Sequence, residues 1–258
     1  MQPTVADVLA QTLREAGIKA VFGLPGGETA YVLDAMRRVG IEFVLVRNES
    51  SAVFMADVTA RLTGKPGVCL TTLGPGAANA FVGVAHAYLD RSPVLVLTAQ
   101  STRRLIGRHT HQVLDLQAIF RPVTKQTIEL TATDVGQSVR HALHLAVAGR
   151  PGPVHIGVSS ETANSPAEHS LESSSQTSGV SETSEASAFS STPSAHDLAR
   201  ARALLSRARR PVLVVGLGLE PERPYVALRA LAEAANATVI VTPKAKGALP
   251  DDHPLAAG

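Results

Sequence analysis

Glu49 lies in the string FVLVRNESSAVFMADVTARLTG, just beyond an apolar run and at the start of a helical pattern. A carboxylate in that position sits where the helix dipole stabilises negative charge and where an α/β sheet opens its ligand crevice. Asn48, Glu49 and Ser50 also fit as plain helix-start residues. Two glycine-rich segments flank Glu49 in the chain. In GLPGGET, residues 23–29, Gly26 and Gly27 allow positive φ and let a ligand approach the backbone closely. An ordinary strand-to-helix turn capped by Thr29 explains the same residues equally well. In TTLGPGAANAF, residues 71–81, Gly74, Pro75 and Gly76 set a sharp turn, and Ala77, Ala78 and Ala80 let the next helix pack closely. Backbone amides at such a helix start bind anions; tight helix–sheet packing without a ligand is the plainer alternative.

Other candidates carry less. His109 and His111 lie two apart with only Asp115 following, which falls short of a metal-ligand set, so no metal site is expected in this chain. His86 and His155 read as ordinary helix and strand residues, and Cys69 as an inert thiol in an apolar strand. The dinucleotide fingerprint G-x-G-x-x-G and the nucleophile elbow G-x-S-x-G are absent. PVLVVGLGLE is only a weak nucleotide-loop signal.

The elements that must position these residues follow from alternation. Residues 19–23, 42–46, 68–72, 94–98 and 154–158 read as strands, and residues 4–16, 29–38, 51–62, 77–89 and 132–148 as helices. The run VLVLT shows no polar alternation, as expected of a parallel strand covered on both faces. Strand and helix in turn predict an α/β fold, a doubly wound parallel sheet with helices on both faces. Residues 1–160 form this first domain. From Ser159 to Ser194, 14 of 36 residues are serine, a composition that cannot offset its ordering entropy. Residues 161–194 therefore read as a disordered Ser-rich flexible linker. Residues 195–258 repeat the pattern with two helices and two strands and read as an incomplete second α/β domain.

Composition narrows the function classes. The chain has 258 residues, 45% hydrophobic and 18% charged, with a formal net charge of +2, too balanced to suggest nucleic acid as a partner. The single cysteine excludes an intramolecular disulfide and any all-cysteine metal cage. No apolar run is long enough to span a membrane, and the amino terminus lacks the apolar core of a secretory signal. A cytoplasmic setting is expected, with no membrane partner. Aromatics at 3% and no Trp leave a ligand to be held by backbone and small polar groups.

In combination, V-F-G-L-P-G-G, R-N-E-S-S-A, A-R-L-T-G, T-T-L-G-P-G-A-A-N, R-S-P-V-L-V-L-T, R-R-L-I-G, R-P-V-T-K and G-R-P-G-P-V resemble the amino-terminal part of the thiamine-diphosphate-dependent enzymes, most like the acetolactate synthase large subunit. R-P-V-L-V-V-G-L-G and K-G-A-L-P-D-D-H-P-L are similar to the family's central domain. The resemblance implies that the first domain grips the aminopyrimidine end of thiamine diphosphate, with Glu49 as the cofactor-activating glutamate. A carboxyl hydrogen-bonded to the ring nitrogen favours the imino tautomer, so that the cofactor becomes its own base. Pro25, Gly26, Gly27, Thr72, Gly74, Pro75, Gly76 and Asn79 are implied to line the cofactor, Gln112 to lie near substrate, and Arg150 to meet a flavin, FAD.

The family string around the glutamine continues F-Q-E, whereas this chain reads His111, Gln112, Val113, a departure that bears on substrate choice. Family members anchor the diphosphate and Mg2+ through a Gly-Asp-Gly string followed by Asn-Asn, and this sequence contains no Gly-Asp-Gly. The lone chain is therefore expected to bind the cofactor weakly and to need a homo- or hetero-oligomeric partner supplying the diphosphate-binding domain. The implied reaction is decarboxylation of pyruvate and transfer of a two-carbon unit to a 2-oxo acid. Alternatives are another 2-oxo acid decarboxylase, oxidase or carboligase, or a non-catalytic truncated paralogue that binds intact subunits. A dinucleotide-binding oxidoreductase is disfavoured by the glycine spacing.

Overall fold

The computed structural model describes residues 2–102, 112–168, 193–219 and 224–258. His109, His111 and most of the Ser-rich tract lie outside the described residues. The chain divides into two units, Met1–Gly179 and Val180–Gly258.

The first unit is built on a six-stranded parallel sheet of order β2-β1-β3-β4-β6-β5. Its strands are β1 (Ala20–Leu24), β2 (Glu42–Leu45), β3 (Gly67–Thr71), β4 (Val94–Gln100), β5 (Thr127–Glu129) and β6 (Val154–Ser159). β3 and β4 are buried along their whole length, as their unbroken apolar runs predict. Alternate residues feed two cores. Val68, Leu70, Leu95 and Leu97 join α1 (Val5–Glu15), α2 (Ala30–Arg38) and α6 (Val135–Val147) on one face. Cys69, Val94 and Val96 join α3 (Glu49–Thr63), α4 (Pro75–Leu89) and α5 (Leu116–Phe120) on the other. The sheet is thus doubly wound, with helices on both faces.

Local chemistry fixes where the helices begin and end. Thr4 and Asp7 close a capping box on α1. The Asn48 side chain accepts from the Ser50 amide at the start of α3, which stops at Gly64 with φ +69°. Pro75 opens α4, a position where its missing N–H costs nothing.

The ordered fold of this unit runs past residue 160. α7 (Ser160–Asn164) follows β6 directly, Ala163 and Ala167 are buried, and Pro166 and Glu168 make β-bridges to Thr4 and Thr133. The residues 161–168 assigned to the linker by composition therefore belong to the first domain's packing.

The second unit holds α8 (Ala195–Arg207), β7 (Val212–Val215), α9 (Tyr225–Ala235) and β8 (Thr238–Val241), with β7 and β8 parallel. Its core is small: Val215, Ala232, Val239, Ala245, Ala248 and Leu249.

Candidate functional site

Chain order places a topological switch between β1 and β3. After β1 the chain crosses to β2 at one edge; α3 then carries it back over β1 to β3, and later strands add on the far side. Helices that leave neighbouring strands on opposite faces open a crevice at the strands' carboxyl ends, where doubly wound folds bind ligands. Both glycine segments occupy that crevice: residues 25–29 follow β1 and residues 72–76 follow β3.

Glu49 is the first residue of α3 and is only 5% exposed. The strand before it, although an apolar run, is the sheet's half-exposed edge, and the neighbours that cover Glu49 include Asn79 and Gly76 of α4. Asn79, one turn into α4, donates from Nδ2 to Glu49 Oε2 at 3.1 Å. Ser50 donates its hydroxyl to the Asn79 carbonyl, tying the two helix starts together. The other oxygen, Oε1, lies 3.1 Å from where a Gly76 Cβ would stand and has no protein donor among the described residues.

The two turns meet at Thr72. Gly26 does not need its expected positive φ: its backbone is extended, with φ −140° and ψ −178°, and Gly27 is not among the positive-φ residues either. The constraint at Gly26 is closeness instead. A Cβ there would stand 2.6 Å from Thr72 Cγ2 and 2.9 Å from Glu28 Oε2. Thr29 clamps the turn by accepting from the Gly26 amide at 3.1 Å and donating to its carbonyl at 2.9 Å. Gly74 does require positive φ, at +59°, and a side chain there would strike the Gln112 carbonyl. A Gly76 side chain would strike Thr72 Oγ1. Pro25, Gly27 and Pro75 lie exposed on the rim.

The structure therefore brings together Gly26, Glu49, Thr72, Gly74, Gly76, Asn79 and the exposed Gln112, whose own φ is +62°. It does not bring Arg150 to them. Arg150 precedes β6 and its guanidinium lies over Tyr88, 5.7 Å from the ring centroid, at the amino-terminal edge of the sheet. A separate cavity at the carboxyl ends of β5 and β6, lined by Thr102, Glu129, Ser159 and Glu161 among others, includes none of the sequence-named residues but Ser159, the start of the serine tract.

Two further features escaped the sequence reading. Asp57, His86 and Asp90 have ligand atoms close enough to hold a metal ion, but Arg61 already bridges both carboxylates, Nε to Asp57 at 2.7 Å and Nη2 to Asp90 at 2.8 Å. A guanidinium there opposes a cation, and the group is an ion network joining α3 to α4. Lys125 donates to the carbonyls of Leu145 and Ala148 at the end of α6. The helical i,i+4 spacing of Asp57 to Arg61 and of His86 to Asp90 was a signal for the first; none marks the second.

Cys69 is fully buried and its thiol is pushed up to about 12 by loss of solvation, as expected of an inert core thiol. Among the described residues no helix is long and apolar enough to cross a membrane.

Comparison with known proteins gives two family matches: "Thiamine pyrophosphate enzyme, N-terminal TPP binding domain" over residues 3–119, and the central domain of the same enzymes over residues 198–258. The acetolactate synthase isozyme 3 large subunit of Escherichia coli K12 is 37% identical over 98% of this chain and 44% of its own length. A probable acetolactate synthase large subunit of Methanocaldococcus jannaschii is 34% identical over 98% of this chain and 42% of its own length. The acetolactate synthase large subunit of Corynebacterium glutamicum is 34% identical over 99% and 40%. The chain spans less than half the length of these relatives.

Proposed function

Because the chain belongs to the thiamine pyrophosphate enzyme family, we propose that its first unit is the cofactor-activating part of an acetolactate-synthase-like enzyme. That enzyme decarboxylates pyruvate and passes the two-carbon unit to a 2-oxo acid. The observation that carries this reading is the asymmetry of Glu49: Oε2 is held by Asn79, while Oε1 faces the Gly76 turn without a protein partner. An oxygen of a largely buried carboxylate that faces the turn without a protein partner is suited to a ligand that brings its own donor or a shared proton.

Gly26 and Gly76 are both positions where a Cβ would collide with Thr72, so the crevice walls are backbone and small side chains. Were thiamine diphosphate bound there, it would supply an acidic thiazolium carbon able to serve as nucleophile and electron sink for a 2-oxo acid. Glu49 would hold a proton at Oε1 toward the cofactor's pyrimidine ring, with Asn79 keeping the carboxylate from turning and the Gly26, Thr72 and Gly74–Gly76 turns lining the site. Gln112, which packs against Gly74, would stand at the substrate end.

The matched segment is less than half of its relatives, and no Gly-Asp-Gly occurs in it. We therefore assign Mg2+ and the diphosphate to residues beyond this segment, in the same or a second subunit. A flavin at Arg150 would bind away from this crevice and take no part in proton transfer at Glu49.

The test is Glu49→Gln in an assembly that binds the cofactor. Hydrogen–deuterium exchange at the thiazolium carbon, followed by proton NMR, should slow by about 100-fold or more, the usual worth of a positioned acid or base. Exchange at the unsubstituted rate removes Glu49 from the chemistry.

A further inference from the structure

The hydrogen bond that orients Glu49 comes from a residue that is itself exposed. Asn79 reaches Oε2 at 3.1 Å from one turn into α4, open to water that competes for its amide. Its hold on the carboxylate therefore depends on how firmly its backbone is placed against α3. That placement runs through Ser50, the residue after Glu49. The Ser50 amide donates to Asn48 Oδ1 at 2.9 Å, its hydroxyl donates to the Asn79 carbonyl, and its own carbonyl stands 3.0 Å from where a Gly83 Cβ would lie. Two consecutive residues of α3 thus grip one residue of α4, Glu49 by its side chain and Ser50 by its main chain. Gly83 lies about one helical turn beyond Asn79, so the helices come closest where the grip is made.

The same two helices are tied a second time, about two turns further along α3, by the ion network of Asp57, Arg61, His86 and Asp90. Losing that network loosens the helix pair as a whole, whereas losing the Ser50 hydroxyl frees α4 at Asn79. We propose that Ser50 is a positioning residue for the proton transfer at Glu49: by latching the Asn79 backbone it keeps the Asn79 amide on Oε2 and so leaves Oε1 directed at the cofactor. This rests on the cofactor reading above, because it is the cofactor that uses Oε1. It goes beyond that reading by giving a role to a hydroxyl that acts only through Asn79.

The test compares Ser50→Ala, Ser50→Thr and Asp57→Asn in the assembly that binds thiamine diphosphate with Mg2+, each at saturating cofactor so that a loss of affinity or of stability alone is overcome. Hydrogen–deuterium exchange at the thiazolium carbon should slow about 3-fold to 10-fold in Ser50→Ala, the range of one net hydrogen bond, and stay within about twofold of the unsubstituted rate in Ser50→Thr, which keeps the hydroxyl. Asp57→Asn should lower the unfolding temperature and keep the unsubstituted exchange rate. An unchanged rate in Ser50→Ala, with Glu49→Gln still slowing exchange, overturns this proposal and leaves the cofactor reading intact. Slowing in Ser50→Thr or Asp57→Asn as large as in Ser50→Ala also overturns it, since the hydroxyl is then not what sets the rate. Exchange that Glu49→Gln leaves unaltered ends both readings.

Discussion

Taking an ionisable group out of water costs free energy unless it is hydrogen-bonded, paired or uncharged, and Glu49 and His155 of the first unit meet that cost differently. Glu49 keeps one oxygen on Asn79 and the other toward the crevice. His155 on β6 has gone to the neutral form: it is fully buried, its ring packs 4.6 Å from that of Phe120, Nε2 shares a hydrogen bond of 2.9 Å with Thr98 Oγ1, and Nδ1 has no partner. Burial pushes its pKa down to about 3 from an ordinary 6.5. The unfolded chain therefore binds a proton there that the folded chain refuses. Stability from this residue is complete above pH 6.5 and falls as pH drops toward 3, by about 1.4 kcal/mol per pH unit. Urea unfolding of the chain followed by circular dichroism should lose about 1.4 kcal/mol between pH 7.5 and 5.5. His155→Leu should flatten that slope; an unchanged slope would show that other groups carry it.

At the scale of elements, Glu49 depends on how closely α3 and α4 approach, since Asn79 must reach across from one to the other. The approach is set by small residues. Gly83 faces α3, where a Cβ would stand 2.6 Å from Val53 Cβ and 3.0 Å from the Ser50 carbonyl. Gly83→Ala should push the helices apart and cost about 1 to 3 kcal/mol, the usual range for overpacking. It should also weaken cofactor binding without touching the crevice, because the Asn79–Glu49 hydrogen bond lengthens. Calorimetric unfolding and cofactor titration measure the two effects, and full cofactor affinity in a destabilised variant would separate packing from site geometry. Much of this arrangement was legible from residue order. Unbroken apolar runs located five of six strands, and the glycine turns and Glu49 followed from where strands give way to helices. Three things were hidden for physical reasons. β5 has three residues of intermediate burial and too little alternation to show. β2 carries the apolar run FVLV yet lies at the sheet edge, because a run does not reveal which strands flank it. The need for glycine at Gly26 is a contact with Thr72, distant in sequence, and not a backbone angle.

At the scale of the whole molecule the two units differ in how much apolar surface each removes from water. β3, β4 and β6 lie between two helical layers and are buried almost throughout. In the second unit α8 has no buried residue, and Val212, Val214 and Ile240 leave one face of the two-stranded sheet exposed. A two-stranded ladder with one helix packed on it has little to hold it closed, since hydrogen bonds near solvent open locally at small cost. Stability within the chain should therefore be graded rather than uniform. Native-state hydrogen exchange read by mass spectrometry should find the amides of residues 67–71, 94–100 and 154–159 protected by several orders of magnitude more than those of residues 212–215 and 238–241. In an assembly that supplies the diphosphate-binding residues, thiamine diphosphate with Mg2+ should raise protection around residues 49–53 and 72–80 and leave that of residues 212–215 and 238–241 unaltered. Equal protection in both units would mean that β7 and β8 are covered in solution by something that shields their open face, and the graded picture of stability would have to be abandoned.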